Sequence, residues 1–356
     1  MDSIIADMAG RVFSDHVTHL TRSQAAAGIW PTSLWQEIEQ AGLPLALVPE
    51  GAGGFGVGVG DALSIVRIAG AHGLPVPLAE TMLANWLQAQ AGLPVSLGPQ
   101  SVTDGSGLSL RATDDGWSVS GQIEAVPWGR NADRIVTLVP HDGKNMVVAL
   151  PAERLAFDVA YNLAGEPRDS AAAYLALRAD QVGQVALPAD TLTLMGALLR
   201  SLLMAGALET VMTLCVTYAG DRVQFGRPIG KFQAIQQYLA TMAGEVAAAR
   251  AAADMVADGF DATPSRHLVA AAKLRAGEAG QIVAALAHQV HGAIGFTDEH
   301  SLHHFTKRLW SWRDEFGTER DWSRALGKAA LKGGPAGSDD SFWSFVTATS
   351  AKGVAA

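Results

Sequence analysis

The hydrophobic period changes twice along this chain. Up to about residue 100 the apolar side chains recur at helical spacing. From about Leu108 they alternate with polar ones, and after Pro188 the helical spacing returns. A period near 3.6 buries one stripe of a helix and a period of two buries one face of a strand, so neither pattern can serve for the other. An α+β class, mostly α, follows in the order helices, strands, helices. The expected segments are a helical domain at 1–100, a β domain at 101–188 and a helical bundle at 189–332, with a frayed Gly/Ser/Ala-rich tail at 333–356.

Local signals fill in this frame. Ser33-Leu-Trp-Gln36 has the form of a capping box ahead of the stripe Leu34, Trp35, Ile38 and Ala41, which Gly42 and Pro44 end. Asp61 is expected to cap a second helix through Ala71, and a third is expected at Ala79–Ala91. In the β segment, Leu108, Leu110 and Ala112 alternate, and Asp115-Gly116 and Asp142-Gly143 offer hairpin turns. A small antiparallel barrel or sandwich is the natural product. Long Ala/Leu/Met-rich helices are then expected at Thr191–Asp221, Lys231–Asp258 and Ser265–His291, apolar nearly all round and suited to a buried bundle.

Composition excludes several classes of function. With 26 Lys+Arg against 35 Asp+Glu the formal charge is −9, and no basic run offers a phosphate backbone anything to bind. The single cysteine, Cys215, rules out intramolecular disulfides and cysteine-based zinc sites, and it fits a reducing cytoplasm. The start, MDSIIADMAGRVF, carries acids and no basic n-region, so no signal peptide is expected. Leu192–Val216 is apolar enough to attract attention, but Arg200 and Glu209 interrupt it and argue against membrane insertion. Only 17% of residues are charged. So little charge on a soluble chain points to surface hidden in an oligomer.

Three candidate sites compete with plainer readings. Gly51-Ala-Gly53-Gly-Phe-Gly56 matches G-x-G-x-x-G, yet no following parallel strand with its acid appears, and a helix-to-helix loop accounts for it better. His288, His291, His300, His303 and His304 gather near the last helices without a complete metal-ligand pattern, so no metal is expected. The informative stretch is Tyr218-Ala-Gly-Asp-Arg222-Val-Gln224-Phe225-Gly226, which ends one long helix and turns toward the next. An arginine there supplies a forked donor suited to phosphate.

That stretch has companions. Gln289-Val-His-Gly292-Ala293-Ile-Gly295-Phe296 joins two bundle helices, and Gly317-Thr318 precedes the last one. Together with Gly116-Trp-Ser-Val-Ser-Gly121, Ala132-Asp133 and Val48-Pro-Glu50 running into Gly53-Gly54-Phe-Gly56, these pieces resemble the acyl-CoA dehydrogenase family over about residues 1–330. The family has an N-terminal helical domain, a middle antiparallel β-barrel and a C-terminal four-helix bundle. The resemblance implies FAD, an acyl-CoA thioester as substrate, and α,β-dehydrogenation by a carboxylate base with hydride leaving for the flavin. It further implies that Arg222, Gln224, Phe225 and Gln233 contact FAD at one turn, and Gln289, Gly292, Ala293 and Gly295 at a second loop. Both serve the FAD of a neighbouring subunit. Thr318 is implied to close over the cofactor.

The departures from the family pattern divide by role. Its base position falls on Phe316, whose phenyl ring cannot take a proton, and Glu315 stands one residue early. A one-residue shift on a helix changes direction by about 100°. No acid occurs near Met195-Gly196-Ala197, where some relatives place the base. Ala125-Val126-Pro127 replaces the W-I-T type motif that stacks on flavin, although Trp128 is adjacent, and the loop before the β domain lacks its usual order. What a subunit offers its own flavin and substrate is lost, while what it offers its neighbour's FAD is kept. The expectation is a subunit that pairs with a different, base-bearing chain in a heterotetramer, with a steroid side-chain CoA ester as one substrate class the resemblance allows. An active homotetramer using Glu315 or another displaced acid, and a non-catalytic scaffold of the same fold, are the alternatives.

Overall fold

The computed structural model describes residues 4–260 and 263–332; the segment 333–356, expected to fray, lies outside them. The fold is mostly helical, with helical N- and C-terminal parts around a sheet region. The contacts of the described residues cluster into two compact units, with the chain passing between them at 69/70, 73/74 and 196/197.

In the first unit the chain opens with α1 (Ile4–His16), α2 (His19–Ala26), α3 (Thr32–Gln40), α4 (Val59–His72, whose end passes to the second unit) and α5 (Leu78–Gln90). The capping box forms ahead of α2, where Thr18 and Thr21 exchange side-chain and backbone hydrogen bonds. It does not form at Ser33. Pro31, whose ring presets φ, occupies the N-cap of α3 without a side-chain cap, so Ser33 lies inside the first turn. Asp61 likewise sits within the first turn of α4, where its charge favours the positive end of the helix dipole. Leu43–Leu45 is a 3-10 turn and not a strand. Gly54 is required because a Cβ there would lie 1.8 Å from the Val48 carbonyl oxygen. The Gly51–Gly56 run is thus a tightly folded loop.

Eight strands follow: β1 (Gln100–Val102), β2 (Leu108–Thr113), β3 (Gly116–Pro127), β4 (Arg134–His141), β5 (Lys144–Pro151), β6 (Phe157–Asp158), β7 (Arg168–Leu177) and β8 (Val182–Val185). They form two four-stranded sheets, ordered β1-β4-β5-β8 and β2-β3-β7-β6. The expected antiparallel barrel therefore takes the form of two sheets over one core, to which β2, β3 and β7 contribute Leu110, Ile123 and Ala173, and β4 and β5 contribute Ile135 and Val148. One pair, β1 with β4, is parallel. Asp142 (φ 48°) and Gly143 (φ 74°) make the β4–β5 turn in the left-handed conformation such two-residue loops need. At β2–β3 the loop residues are Asp114 and Asp115, because Gly116 already pairs with Thr113. Ala112 is exposed, so the expected alternation stops at Leu110.

A buried polar cluster ties α5 to β1. Asn85 Nδ2 donates to the carbonyls of Pro44 and Ser96, Gln88 Nε2 donates to Gln100 Oε1, and Gln100 Nε2 donates to Asn85 Oδ1. Buried amides are tolerated only when satisfied in this way.

Most of α6 (Thr191–Asp221) lies in the second unit, with a hairpin of β9 (Val223–Gln224) and β10 (Arg227–Pro228), then α7 (Gln233–Asp258), α8 (Arg266–His291), α9 (Leu302–Trp312) and α10 (Glu319–Lys332). Helix α6 has the expected bounds, and α8 starts one residue after its cap, Ser265. Helix α7 starts later than expected because Ile229–Lys231 winds into a 3-10 turn and Phe232 is extended. Among the described residues α6 is the one helix long and apolar enough to cross a membrane, and 89% of its most apolar stretch is buried. Gly70 of α4 touches Leu203 of α6 backbone to backbone: a Cβ on it would lie 2.0 Å from the Leu203 oxygen.

Candidate active site and cofactor-contact loops

The segment linking α9 to α10 holds the position at which a base was expected. Phe316 has φ 55° and Gly317 φ 98°, two consecutive left-handed residues, so the chain reverses sharply at the phenyl ring. Left-handed backbone is costly for a bulky side chain, on the order of 1–2 kcal/mol, and persists where the surroundings impose it. The surroundings here are named. Trp322 Nε1 donates to the Phe316 carbonyl at 3.1 Å. Lys273 of α8 donates from Nζ to the carbonyls of Arg313 (2.6 Å) and Gly317 (3.0 Å), fixing both ends of the reversal. Gly317 is itself required, since a Cβ there would meet the Trp322 ring at 2.7 Å.

Glu315 is spent on a buried cation. Arg200, 2% exposed within α6, donates from Nε to Glu315 Oε2 at 2.6 Å, and its guanidinium carbon lies 5.4 Å from the Phe316 ring centre. Protonating Glu315 would strip the buried guanidinium of this counter-charge, and breaking such a pair from one side costs about 3–5 kcal/mol. That is the opposite of what a general base needs. Lys273 is also 1% exposed, and burial pushes its ammonium down to about 8 despite nearby Glu319 and Glu315. Thr318 donates its hydroxyl to Asp321 Oδ2 at 2.7 Å and caps α10. This bond holds the Asp321 carboxyl below its ordinary value. Sequence reading singled out Glu315, Phe316 and Thr318 but missed Arg200 as the partner of Glu315 and Lys273 as the donor to the carbonyls of Arg313 and Gly317; basic residues at buried helix positions were the available signal.

The two loops read as cofactor contacts have a different character. Phe225 (φ 51°) and Gly226 (φ 79°) form the turn of the β9–β10 hairpin, and the Phe225 side chain is 93% exposed. Arg222 and Gln224 are exposed beside it, and the Arg222 guanidinium makes no ion pair among the described residues. Gln233, the first residue of α7, is exposed too. At the second loop Gln289, Gly292 and Ala293 are exposed. Gly292 has φ 63° and ψ −144°, a combination open to glycine, with nothing within 4 Å of a Cβ placed on it. Gly295 instead is buried, and a Cβ there would press on Leu302, His291 and His288 at 3.0–3.2 Å. One glycine of the motif leaves the backbone approachable; the other serves helix-to-loop packing.

The histidines are packing groups in the bundle. His288 is stacked between Phe296 (4.0 Å) and Trp310 (5.7 Å), with Nε2 at 2.9 Å from the Thr306 hydroxyl. Burial pushes both His288 and His291 below the ordinary value of 6.5. Among the described residues no three His, Cys, Asp or Glu side chains gather as a metal site. Cys215 is buried and its thiol is pushed up to about 12, so it is no nucleophile.

In the first unit Ala125 (φ 49°) sits at an irregularity of the β3–β7 ladder, its N–H donated to Ser170 Oγ. Val126 and Pro127 are buried, and so is Trp128, whose ring meets Trp30 edge-on at 6.3 Å. Trp128 belongs to the core of its own unit and does not stand in for a stacking residue at the strand.

Comparison with known proteins gives a consistent result. The model of the acyl-CoA dehydrogenase C-terminal domain matches residues 190–319. The acyl-CoA dehydrogenase IpdE2 of Mycobacterium tuberculosis is 31% identical over 280 residues, covering 78% of this chain and 80% of that one. Among solved structures, the ChsE4-ChsE5 complex from Mycobacterium tuberculosis superposes with a TM-score of 0.83 at 23% identity, over 94% of this chain and 99% of that one. A Tcur3481-Tcur3483 steroid ACAD variant does so with 0.79 at 23%, over 92% and 97%. At such identities the structural likeness carries the fold.

Proposed function

Because this chain belongs to the acyl-CoA dehydrogenase family, we propose that it acts as the base-lacking subunit of a heteromeric, FAD-dependent acyl-CoA dehydrogenase. It lends cofactor-binding residues to a partner chain that carries the base. The observation that carries this reading is the Arg200–Glu315 pair at 2.6 Å beside a phenylalanine at the expected base position. It tells equally against an active homotetramer in which Glu315 is the base.

The donor set of the two loops fits FAD. An exposed guanidinium at Arg222, without an ion pair among the described residues, suits a pyrophosphate, and the amides of Gln224, Gln233 and Gln289 can hydrogen-bond its polar edges. Gly292, with open space at its Cα, lets a ligand approach the backbone; Ala293 narrows that approach by one methyl group. Bound flavin supplies the hydride acceptor that the side chains lack. This chain's residues then hold and orient the dinucleotide, while proton abstraction from the acyl-CoA falls to the partner. Two of the structural neighbours are themselves pairs of different chains, and one is described as a steroid ACAD. That supports a heteromeric assembly acting on a steroid-derived CoA ester.

Glu315→Gln still accepts a hydrogen bond from Arg200 but removes its counter-charge, so stability should fall by about 3–5 kcal/mol and the role is read from kcat per folded complex. In the assembled complex kcat should stay within about twofold of the parent. Loss of a general base costs about 10²–10⁴-fold, and a fall of that size would make Glu315 the base and overturn the reading.

A further inference from the structure

His291 is the last residue of α8, and Gly292 of the second loop follows it. Its ring is 4% exposed and lies against Tyr218 of α6, centroids 4.5 Å apart and planes 22° from parallel. The ring of His300, from the turn before α9, meets it at 4.6 Å. Tyr218 is in turn joined to the hairpin, because its carbonyl accepts the Arg222 N–H at 2.9 Å and the Arg222 carbonyl accepts the Ile229 N–H at 2.8 Å. One imidazole therefore stands between the two loops.

Its hydrogen bonding fixes the tautomer of the neutral ring. Nδ1 lies 2.9 Å from the Ala287 carbonyl, which can only accept, so Nδ1 carries the proton. Nε2 then bears the lone pair, and it is buried with no hydrogen-bond partner among the described residues. Adding a proton there would bury an N–H and a positive charge without an acceptor. The titratable groups around the ring are Cys215 and Tyr218 from α6, His288 on its own helix and His300 from the following turn, with no carboxylate among them. The face of the Tyr218 ring would favour a cation. Desolvation by burial is the largest influence on His291 and lowers it; the Ala287 hydrogen bond opposes this, and His300 and His288 add to the lowering.

We propose that His291 is a positioning residue whose neutral imidazole, stacked on Tyr218, holds the Arg222–Phe225 hairpin and the Gln289–Gly295 loop in one register, and that its protonation releases both together. Its bearing on cofactor binding rests on the function proposed above; the coupling of the loops does not.

The test is hydrogen exchange on the full chain without added flavin, corrected for the intrinsic pH dependence of amide exchange, following residues 218–229 and 289–300. In the native chain both segments should open more readily as pH falls below 6.5, by up to about tenfold per pH unit. The His291→Phe variant, which keeps an aromatic ring and cannot titrate, should lose the acid step in the hairpin. His288 supplies a further proton only to the second loop, which makes the hairpin the discriminating segment. Tyr218→Leu leaves the histidine in place and should open both segments already at pH 7.5. A hairpin indifferent to pH, an acid step that survives in His291→Phe, or a Tyr218→Leu change confined to the hairpin would each overturn the proposal. Coupled loops in a chain that confers no flavin binding would leave it standing and sink the functional reading alone.

Discussion

Two buried cations hold the segment that carries Phe316 and Glu315. Arg200 takes the carboxylate of Glu315, and Lys273 takes the carbonyls at both ends of the Phe316 reversal. The sign of the Lys273 effect is testable. Its folded-state value of about 8 lies below the ordinary 10.5, so between these values the unfolded chain binds more protons than the folded one. Stability from this group therefore rises with pH across that window. Denaturation midpoints of the native chain should gain on those of Lys273→Met from about pH 8 to 10.5; parallel pH curves would contradict the burial argument. The identities of Phe316 and Glu315 were legible in the sequence because a motif could be counted out to them. Their partners were not, since Arg200 lies 115 positions away from Glu315 and only the fold brings them together.

At the scale of elements, strong periodicity was read well and local chemistry less so. Helix α6 and the Asp142-Gly143 turn stand where their patterns put them. The caps at Ser33 and Asp61 do not: α3 already starts at Thr32 behind Pro31, and α4 at Val59, so both residues fall inside the first turn. The Gln88–Gln100–Asn85 cluster left no periodic trace, as polar residues inside a buried helix look like errors of pattern until their partners are known. Gly70 is similar: nothing in its neighbourhood announces that α6 passes so close. Gly70→Ala should gain about 1 kcal/mol of helix propensity and lose about 2–3 kcal/mol to overpacking. A net destabilisation of roughly 1–2 kcal/mol in urea melts is expected, and a stabilised variant would show that the helices can separate freely.

For the whole molecule the question is where a chain with only 17% charged residues meets its surroundings. Along α7 the exposed residues include Ala240, Ala243, Gly244, Ala247, Ala248 and Ala251, small and uncharged, and Phe225 stands 93% exposed at the hairpin tip. A family subunit that gives its cofactor loops to another chain would cover such surface on assembly. Arg222→Ala should then lower the flavin content of the assembled complex without dissociating its chains; unchanged flavin would favour a scaffold. The most direct measurement of the division of labour is flavin content and acyl-CoA dehydrogenation by this chain purified alone and co-purified with a base-bearing family subunit encoded beside it. The expected result is a colourless, inactive chain alone and a yellow, active complex with one flavin for every two chains. A yellow, fully flavinated and active assembly of this chain by itself would contradict it.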